Sequence, residues 1–407
     1  MSPWIAVVGI GEDGLDGLAP ANRALVESAD VLAGGARHLA KALKSTALRI
    51  DWRNGLEAGI EALAAHRGKR VVVLASGDPL NFGIAANIIE RFGADAVRVI
   101  PGPSAFSLAA ARMGWSIPDV ECLTVHGRAL ETANLHLVPG RRLLVLSWDG
   151  KTPAALAKLL TARGFGASPI TVLEHMGGPK ENRVAGRADR WTHVSCADLN
   201  TVAVECVAAP DARIFSRVPG LPEDAFEHDG QITKREVRAA TLARLAPLPG
   251  DVLWDVGAGS GAVAIEWLRA ERSAEAVAVE RDPTRAARIG RNARALGVPR
   301  LRVVEGAAPA AIEDLQPNPD AVFLGGGVAE PELLEACWNS LALGGRLVAN
   351  AVTLAGEARL LAFRAENGGA LTRLAVARAE PVGSRDALRP LMDVLQFSAV
   401  KGRGKPS

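Results

Sequence analysis

A glycine-rich stretch in the second half of the chain has the residue types of a nucleotide-binding loop. It reads Asp255-Val-Gly-Ala-Gly-Ser-Gly261, after a run of buried-type residues and before a helical pattern. Its glycines permit a tight turn and a close approach of backbone to a ligand, to which the following helix presents free N–H groups. Glu280 ends the next predicted strand, where a carboxylate can bridge two ribose hydroxyls.

The loop alone leaves two chemistries open. With Ala262 it satisfies the G-x-G-x-x-G/A fingerprint of dinucleotide-binding proteins, which predicts an NAD(P)-dependent oxidoreductase. Asp255 before the first glycine and the flanking motifs favour methyl transfer instead. The stretch "ITKREVRAATL" precedes the loop, with Thr233 and Glu236 spaced as a capping box, and "EGAAP" and "FLGGG" follow later strands.

Three loops in the first half indicate a second site. Gly9-Ile10-Gly11 ends one predicted strand, and "SGDPLNF" and "PGPSA" follow the ends of two later ones. A proline in each of the last two loops fixes φ and makes the turn rigid, which suits a pocket lined by backbone. Each motif alone is common in α/β proteins, so the prediction depends on their order along the chain.

Short apolar runs alternate with helical patterns in both halves. This predicts an α/β fold class of two domains, with a largely parallel sheet in the first half and a doubly wound sheet in the second. The predicted strands are Trp4–Val8, Val71–Ala75, Val97–Ile100, Arg142–Ser147, Ile170–Glu174, Thr201–Val207, Val252–Val256, Ala276–Glu280, Arg300–Glu305, Ala321–Leu324 and Gly345–Val352. A stretch rich in proline, glycine and charge separates the halves. We predict domains at residues 1–212 and 231–407, joined by a linker at 213–230.

The composition argues against several classes of protein. A chain of 407 residues, of which 23% are charged, is typical of a soluble protein with two domains. The net charge of +2 argues against a dedicated nucleic-acid binder, and the lack of a long apolar run argues against a membrane protein. The four cysteines show no metal-ligand spacing, so we predict no metal site. The start has no signal-peptide pattern, and we expect a cytoplasmic protein.

Arginine dominates the basic residues, since only 9 of the 47 are lysine. Guanidinium groups bind carboxylates through two parallel hydrogen bonds, so the bias is compatible with an acidic substrate, although a GC-rich genome would also produce it. Asn350, Arg385 and Arg389 follow late predicted strands, where a doubly wound domain builds its substrate mouth. They are the candidate catalytic residues.

The second half resembles class I S-adenosylmethionine-dependent methyltransferases, and among them the decarboxylating precorrin methyltransferases of cobalamin synthesis, on "ITKREVRAATL", "EGAAP" and "FLGGG". The resemblance implies a Rossmann-like fold. The implied cofactor contacts are Thr233, Asp255, Gly257, Ala258, Gly259, Ser260, Gly261, Glu280, Ala307 and Ala308. Many relatives have an aspartate in place of Ala307, so the adenine here would depend on backbone contacts. The glycines of "FLGGG" offer no acceptor for a substrate nitrogen, which suits a carbon nucleophile in a broad flat ring.

The first half, over about residues 1–210, resembles the tetrapyrrole methylase family, also called class III methyltransferases. The three loops carry this resemblance, with "VLEHMGGPKENRVAG", in which Glu174 and Glu181 match a Glu-rich stretch. That family binds S-adenosylmethionine in a cleft between two α/β lobes. The implied cofactor contacts are Ile10, Gly77, Asp78, Asn81, Phe82, Ser104 and Ala105.

Two unrelated methyltransferase domains in one chain imply two S-adenosylmethionine sites and an acidic tetrapyrrole, a precorrin, as substrate. The combination resembles fused methyltransferases of cobalamin synthesis. It implies a reaction that methylates carbons 5 and 15 of the precorrin and removes the carboxyl of its carbon 12 acetate side chain as carbon dioxide. A second alternative keeps the C-terminal methyltransferase and makes the first half a non-catalytic tetrapyrrole-binding domain. We expect no nucleic-acid or membrane partner, and we expect a homo-oligomer.

Overall fold

The apolar runs that predict strands are strands in the computed structural model, which describes residues 3–42 and 45–402. Three of them have the predicted bounds, and the others differ by one or two residues at an end. The chain divides into two compact units. Unit 1 comprises the residues up to Leu130 together with His136–Arg213, and unit 2 comprises Glu131–Leu135 together with the residues from Ile214 onward. The outer limits of the predicted domains, residues 1 and 407, lie outside the described residues.

The first sheet of unit 1 is parallel throughout, with the order β3-β2-β4-β1-β5 in the described residues. Its strands are β1 (Ile5–Ile10), β2 (Val31–Gly34), β3 (Leu48–Asp51), β4 (Val71–Ser76) and β5 (Val97–Ile100). Its helices are α1 (Pro20–Glu27), α2 (Ala36–Leu39), α3 (Leu56–Leu63) and α4 (Ala85–Phe92). Val7 and Val73 pack with α3 and α4 on one face, and Val8 and Leu74 pack with α1 and α2 on the other. Because both faces are buried, the inner strands β1, β2 and β4 are mostly apolar and show no alternation.

The second sheet of unit 1 is mostly antiparallel, so the prediction of a largely parallel sheet is wrong for this part of the chain. Its order is β6-β7-β10-β8-β9, and only β6 and β7 pair in parallel. The strands are β6 (Val120–Thr124), β7 (Arg142–Leu146), β8 (Pro169–Glu174), β9 (Asn182–Arg187) and β10 (Asn200–Glu205), with helices α5 (Ala105–Met113) and α6 (Thr152–Ala162). The connection between β8 and β9 is too short for a crossover, so these two strands form a hairpin.

Unit 2 has a doubly wound sheet whose described strands lie in the order β13-β12-β11-β14-β15-β19-β16. The five parallel strands are β11 (Val252–Val256), β12 (Glu275–Glu280), β13 (Arg302–Glu305), β14 (Ala321–Leu324) and β15 (Arg346–Ala351). The antiparallel strands are β16 (Ala370–Leu374) and β19 (Val394–Val400), and β17 (Ala377–Val382) and β18 (Arg385–Pro390) form a separate hairpin. The helices are α7 (Arg235–Leu245), α8 (Ala262–Ala270), α9 (Pro283–Ala295), α10 (Leu333–Ser340) and α11 (Leu354–Asn367). Helices α7 to α9 pack on one face and α10 and α11 on the other.

The segment predicted as a linker packs on unit 2 from Ile214 onward. Leu221 and Phe226 are buried in the core beneath α7 and α8. The amide groups of Gly220 and Leu221 donate to the carboxylate of Glu266, at 2.7 and 2.9 Å. A buried carboxylate needs such donors, and the segment is ordered because it supplies them.

The predicted capping box at the start of α7 is wrong. The residue before the helix is Lys234, whose side chain makes no capping bond, and the amide of Arg235 donates to Oε1 of Glu223 at 3.0 Å. The carboxylate of Glu236 instead pairs with Arg378 at 2.6 Å, because β17 passes beside this turn.

Three simpler predictions concern helices, cysteines and metals. Among the described helices, none is long and apolar enough to cross a membrane. None of the four cysteines is in a disulfide bond, and Cys206 and Cys337 are buried. The part of the chain that the structure describes contains no group of three or more His, Cys, Asp or Glu side chains that could hold a metal ion.

Candidate active sites

A cavity of about 940 Å³ opens at the carboxyl ends of the parallel strands of unit 2. Its lining comes from the loops after β11 to β14, from the end of β15 and from the segment before α7. Ligands bind at this edge in open α/β sheets, and the strand order here reverses beside β11. The predicted site residues along the cavity are Thr233, Gly257, Ala258, Gly259, Ser260, Glu280, Ala307, Ala308 and Asn350. Gly325–Gly327 also line the cavity, and because they have no side chains, none narrows it there.

Two glycines of the loop after β11 are required by geometry. Gly259 has φ of +60°, a backbone conformation that favours glycine. A Cβ on Gly261 would lie 2.7 Å from Cγ2 of Ile289, because α9 packs closely against the start of α8. The amide of Gly257 donates to the carbonyl oxygen of Val279 at 3.0 Å, which holds the loop against the end of β12.

Glu280 is oriented at the end of β12 by two backbone donors. The residue is 5% exposed, the amide of Gly259 donates to Oε2 at 2.8 Å, and the amide of Asp282 donates to Oε1 at 3.0 Å. A carboxylate has about four acceptor positions, so each oxygen keeps one for a ligand. The carboxylate lies along the glycine loop, where it can accept hydrogen bonds from two neighbouring hydroxyls.

Asp255 lies beneath the loop and is not among the described lining residues. Its Oδ2 accepts a hydrogen bond from the amide of Ala264 at 3.0 Å, and its Oδ1 has no partner among the described residues. Burial raises the pKa of Asp255 to about 7, an effect that the Ala264 amide opposes and the charge of Glu280 reinforces. Asp255 therefore stabilises the start of α8 through this hydrogen bond. Gly261 also does not line the described cavity, and it stabilises the start of α8 by packing closely against α9.

A buried ion pair holds the segment before α7 at the cavity. Nε of Arg238 donates to Oε1 of Glu266 at 2.7 Å, and both side chains are almost fully buried. The other guanidinium N–H groups donate to the carbonyl oxygens of Thr233 and Leu221. Thr233 and Lys234 consequently line the cavity without any capping bond.

The far end of the cavity is apolar and was only partly predicted. Asn350 is there, within β15 and not after a strand as predicted. The other residues at this end are Val352, Val376, Pro390, Leu391, Met392 and Val394. Most of them flank the β17–β18 hairpin, which we did not predict. Arg385 and Arg389 lie within exposed β18, not after a strand as predicted, and neither is among the described lining residues. Arg389 faces Glu380 across the hairpin, at 3.4 Å.

In unit 1, the three predicted loops meet through backbone hydrogen bonds. The amide of Gly77 donates to the carbonyl oxygen of Ile10 at 3.1 Å, and the amide of Gly102 donates to that of Gly77 at 3.0 Å. A Cβ on Gly9 would lie 1.8 Å from the carbonyl oxygen of Gly77, so no larger residue fits. The ends of β1, β4 and β5 thereby form one surface of backbone.

The loop after β4 is shaped by Asp78. Its Oδ1 accepts from the amide of Leu80 at 2.9 Å, and its carbonyl oxygen accepts from the amide of Asn81 at 3.1 Å. Phe82 has φ of +56° and is 43% exposed, with its ring edge-on to that of Phe106 at a centroid distance of 5.9 Å. The loop thus presents Asn81 and Phe82 outward, next to the start of α5.

Ser104 caps α5, in which Ala105 is the first residue. Its Oγ accepts from the amide of Ser107 at 3.0 Å. The first four amides of a helix have no helical partner, and this cap satisfies one of them. The amide of Ala105 belongs to the same group, so the loop after β5 ends on backbone donors that could bind an anion.

A charged cluster beside these loops was not predicted. Oε1 of Glu12 accepts from Lys41 and Arg37 at 2.5 and 2.9 Å, and Oε2 is 3.1 Å from Nδ1 of His175. Arg37 also donates to Oγ of Ser76 at 2.9 Å. Burial raises the pKa of Glu12, but hydrogen bonds from Lys41 and His175 and the nearby positive charges outweigh it and lower the pKa to about 2. No local sequence pattern predicts this cluster, because Glu12 and His175 are 163 positions apart.

Glu174 and Glu181 hold the backbone around the turn between β8 and β9. Glu174 accepts from the amide of Ala197 at 2.6 Å and from the side chain of Asn182 at 2.8 Å. Glu181 pairs with Arg112, and this contact is the main cause that lowers the pKa of Glu181 to about 2.

Two family models match the chain, and each lies largely within one unit. The model described as Tetrapyrrole (Corrin/Porphyrin) Methylases matches residues 5–191. The model described as Precorrin methyltransferase domain matches residues 224–401. Both motif sets on which the sequence resemblances depend lie inside these ranges.

Individual relatives match either the whole chain or part of it. A Sinorhizobium sp protein named precorrin-6Y C(5,15)-methyltransferase (decarboxylating) is 48% identical over 403 residues, which are 99% of this chain and 97% of that protein. A Salmonella typhimurium protein named cobalt-precorrin-7 C(5)-methyltransferase is 34% identical over 44% of this chain and 87% of its own length. A Saccharolobus solfataricus protein named "Probable cobalt-precorrin-6B C(15)-methyltransferase (decarboxylating)" is 32% identical over 34% of this chain and 71% of its own length.

Proposed function

This chain belongs to the family of precorrin-6Y C(5,15)-methyltransferases (decarboxylating), and we propose that it holds two S-adenosylmethionine sites, one in each unit. It is a methyltransferase of cobalamin biosynthesis that methylates carbons 5 and 15 of precorrin-6Y and decarboxylates the carbon 12 acetate side chain to give precorrin-8. The relatives support neither of the two alternatives from the sequence, an NAD(P)-dependent oxidoreductase or a C-terminal methyltransferase with a non-catalytic first half. The observation that carries the two-site proposal is that each unit has its own set of glycine-containing loops at the carboxyl ends of parallel strands.

The cavity of unit 2 fits the cofactor. Glu280 has free acceptor positions for a ribose diol, and Thr233 and Gly257–Ser260 offer a hydroxyl and backbone groups for the methionine part. Ala307 and Ala308 lie along the same cavity and present no carboxylate to an adenine, so we propose that backbone groups bind it there. The cavity is large enough to admit part of a flat ring beside the cofactor.

The loops of unit 1 fit a second cofactor molecule. Ile10 and Gly77 are joined by a hydrogen bond, and Asp78 and Ser104 stabilise the loops that flank them. Backbone donors and acceptors, together with the exposed ring of Phe82, could bind a nucleoside without a dedicated charged side chain. We propose that this rigid backbone surface forms the site for the carbon 5 methylation.

We propose that unit 2 performs the carbon 15 methylation and the decarboxylation. Two relatives indicate that the two activities can occur in separate proteins. One is named for carbon 5 alone and the other for carbon 15 with decarboxylation, and each matches less than half of this chain. The precorrin substrate carries several carboxylates, for which the arginine-rich composition is suited.

When bound, S-adenosylmethionine supplies a methyl group that its sulfonium has already activated. The residues of the chain therefore need to align donor and carbon nucleophile and to exclude water, and they need no strong acid or base for the transfer. Alignment of this kind can contribute on the order of 7–11 kcal/mol in favourable cases.

A homo-oligomeric state stays a prediction.

The stoichiometry of cofactor binding tests the two-site proposal. Calorimetric titration of the full chain with S-adenosylhomocysteine is expected to give two sites per chain. A single site, or none in folded protein, would contradict the proposal without affecting the family assignment.

Glu280→Ala is expected to weaken S-adenosylhomocysteine binding in unit 2 by roughly 1–3 kcal/mol, because two ribose hydroxyls would lose their acceptor. The same titration measures this loss, and the unit 1 site should be unchanged. Glu275→Ala is the matched control, since Glu275 begins the same strand and is exposed. Equal affinity in both variants would remove Glu280 from the cofactor site.

A further inference from the structure

A closed network of buried polar side chains reaches the apolar end of the unit 2 cavity. Gln396 on β19 is 2% exposed, and its Nε2 lies 3.0 Å from Oγ1 of Thr241 and 3.1 Å from Oδ1 of Asn350. Nδ2 of Asn350 lies 3.3 Å from the same Oγ1. Thr241 in turn donates to the carbonyl oxygen of Val237, at 2.8 Å. Asn350 is the member of this network that lines the cavity.

The hydrogen-bond roles in this network fix the orientation of Asn350. The hydroxyl hydrogen of Thr241 is used on Val237, so its oxygen can only accept from the two amides. Both amides must therefore present NH₂ groups to Thr241, and the second hydrogen of Gln396 serves Oδ1 of Asn350. Asn350 is left with one N–H donor and one lone pair, on the side chain that borders the cavity.

The surroundings of this donor are aliphatic. Val352 follows β15, and Val394 lies beside it, since Leu395 pairs with Ala351 in the antiparallel register. Leu391 and Met392 complete this end of the cavity. Three cationic side chains are among the described lining residues: Lys234 directly before α7, Arg281 directly after β12, and Arg285 in the first turn of α9. A carboxylate at the aliphatic end would meet an amide donor and weak solvation.

We propose that Gln396 is a positioning residue that, with Thr241, directs the N–H of Asn350 to the substrate carboxylate that is lost. This inference rests on the assignment of decarboxylation to unit 2. In the step, the bond between the methylene and carboxyl carbons breaks and carbon dioxide leaves. The electron pair enters the adjoining pyrrole system, and the methylene carbon takes up one proton to become a methyl group. The electron pair can enter the pyrrole system only if the breaking bond is perpendicular to the plane of that ring. The fixed N–H of Asn350 holds the carboxylate in this orientation.

The aliphatic walls act in the same direction. A carboxylate is poorly solvated there, whereas carbon dioxide is neutral and needs no solvation. Loss of carbon dioxide is thereby favoured once the carboxylate has been oriented. A cation at this end would stabilise the reactant and slow the step.

The test uses the full chain with precorrin-6Y and S-adenosylmethionine, and follows carbon dioxide release. Gln396→Met, which keeps the volume and removes the donors, is expected to lower kcat for release by about tenfold to one hundredfold. Binding of S-adenosylhomocysteine in unit 2 should be unchanged. Asn350→Ala should lower kcat at least as much, and the double variant should be no slower than Asn350→Ala alone, because Gln396 acts through Asn350.

Two comparisons keep the result interpretable. Cys337→Ala is the control for buried substitutions, since Cys337 is fully buried in the opposite core and is not among the described lining residues, and its kcat should be normal. Thr241→Val repeats the test if Gln396→Met does not fold. Normal release in a folded network variant, or losses that multiply in the double variant, would overturn the inference. Failure of the unaltered chain to release carbon dioxide would instead count against the assigned reaction.

Discussion

Gly259→Arg is expected to abolish cofactor binding in unit 2 and leave one S-adenosylhomocysteine site per chain. Gly259 has φ of +60° and contacts Glu280 through its amide, so a side chain here is strained and extends from the loop that borders the cavity. Gly290→Arg is the control, because Gly290 lies in α9 and a Cβ there meets nothing within 4 Å. Calorimetry with S-adenosylhomocysteine should give one site for the first variant and two for the second.

Gly77→Arg is expected to give the reciprocal result. A Cβ on Gly77, at φ of +52°, would lie 2.7 Å from the carbonyl oxygen of Pro103, so the loops after β4 and β5 must separate. Gly93→Arg carries a similar strain, with φ of +85°, but points into open space after α4 and should keep both sites. Loss of both sites from either loop variant, with the fold intact by circular dichroism, would show that the sites are not independent.

The second large effect is expected from separating the two units. Residues 1–213 and 214–407 should each fold when expressed alone, since each piece keeps the sheets and core of one unit and only Glu131–Leu135 of unit 2 stays with the first piece. The second piece must begin at Ile214 or earlier, because Arg269 donates to the carbonyl oxygens of Phe215 and Ser216. Given precorrin-6Y and S-adenosylmethionine, this piece should yield a product with one methyl gained and one carbon dioxide lost.

The first piece should then add one further methyl group and release no gas. Mass spectrometry of the successive products checks both steps, and a mixture of the two pieces should give the same final mass as the full chain. We expect the decarboxylation in unit 2, because that unit has the aliphatic end of the cavity with one oriented amide. Carbon dioxide loss that requires the first piece would refute this division.

Local residue types were enough to predict the two sheet edges at which we propose cofactor sites. A strand followed by glycines and a helix start can be recognised within one short stretch, since the φ of +60° at Gly259 favours glycine and the close approach at Gly9 leaves no room for a Cβ. Buried parallel strands such as Val71–Ala75 are equally clear, because every residue of this run is apolar and buried. The order of these loops along the chain then identified both kinds of methyltransferase domain, which the relatives confirm.

Strand direction and exposed strands could not be read in the same way. A buried run such as that of β8 looks alike in a parallel and an antiparallel sheet, and the direction follows from which strands pair. Every residue of β18 is exposed, so this strand shows no alternation of buried and exposed positions, and Arg385 and Arg389 were taken to follow a strand instead of forming one.

The sequence by itself determined what each short segment can do: which loops bend tightly, which strands are buried and which carboxylate ends a strand beside a glycine loop. Tertiary structure alone decided which distant polar groups meet. Thr241 and Gln396 are 155 positions apart, and they join Asn350 only because β19 pairs antiparallel to β15 beside α7. Hydrogen bonds need partners at about 3 Å, a condition that depends on the packing of whole elements and leaves no local pattern in the chain.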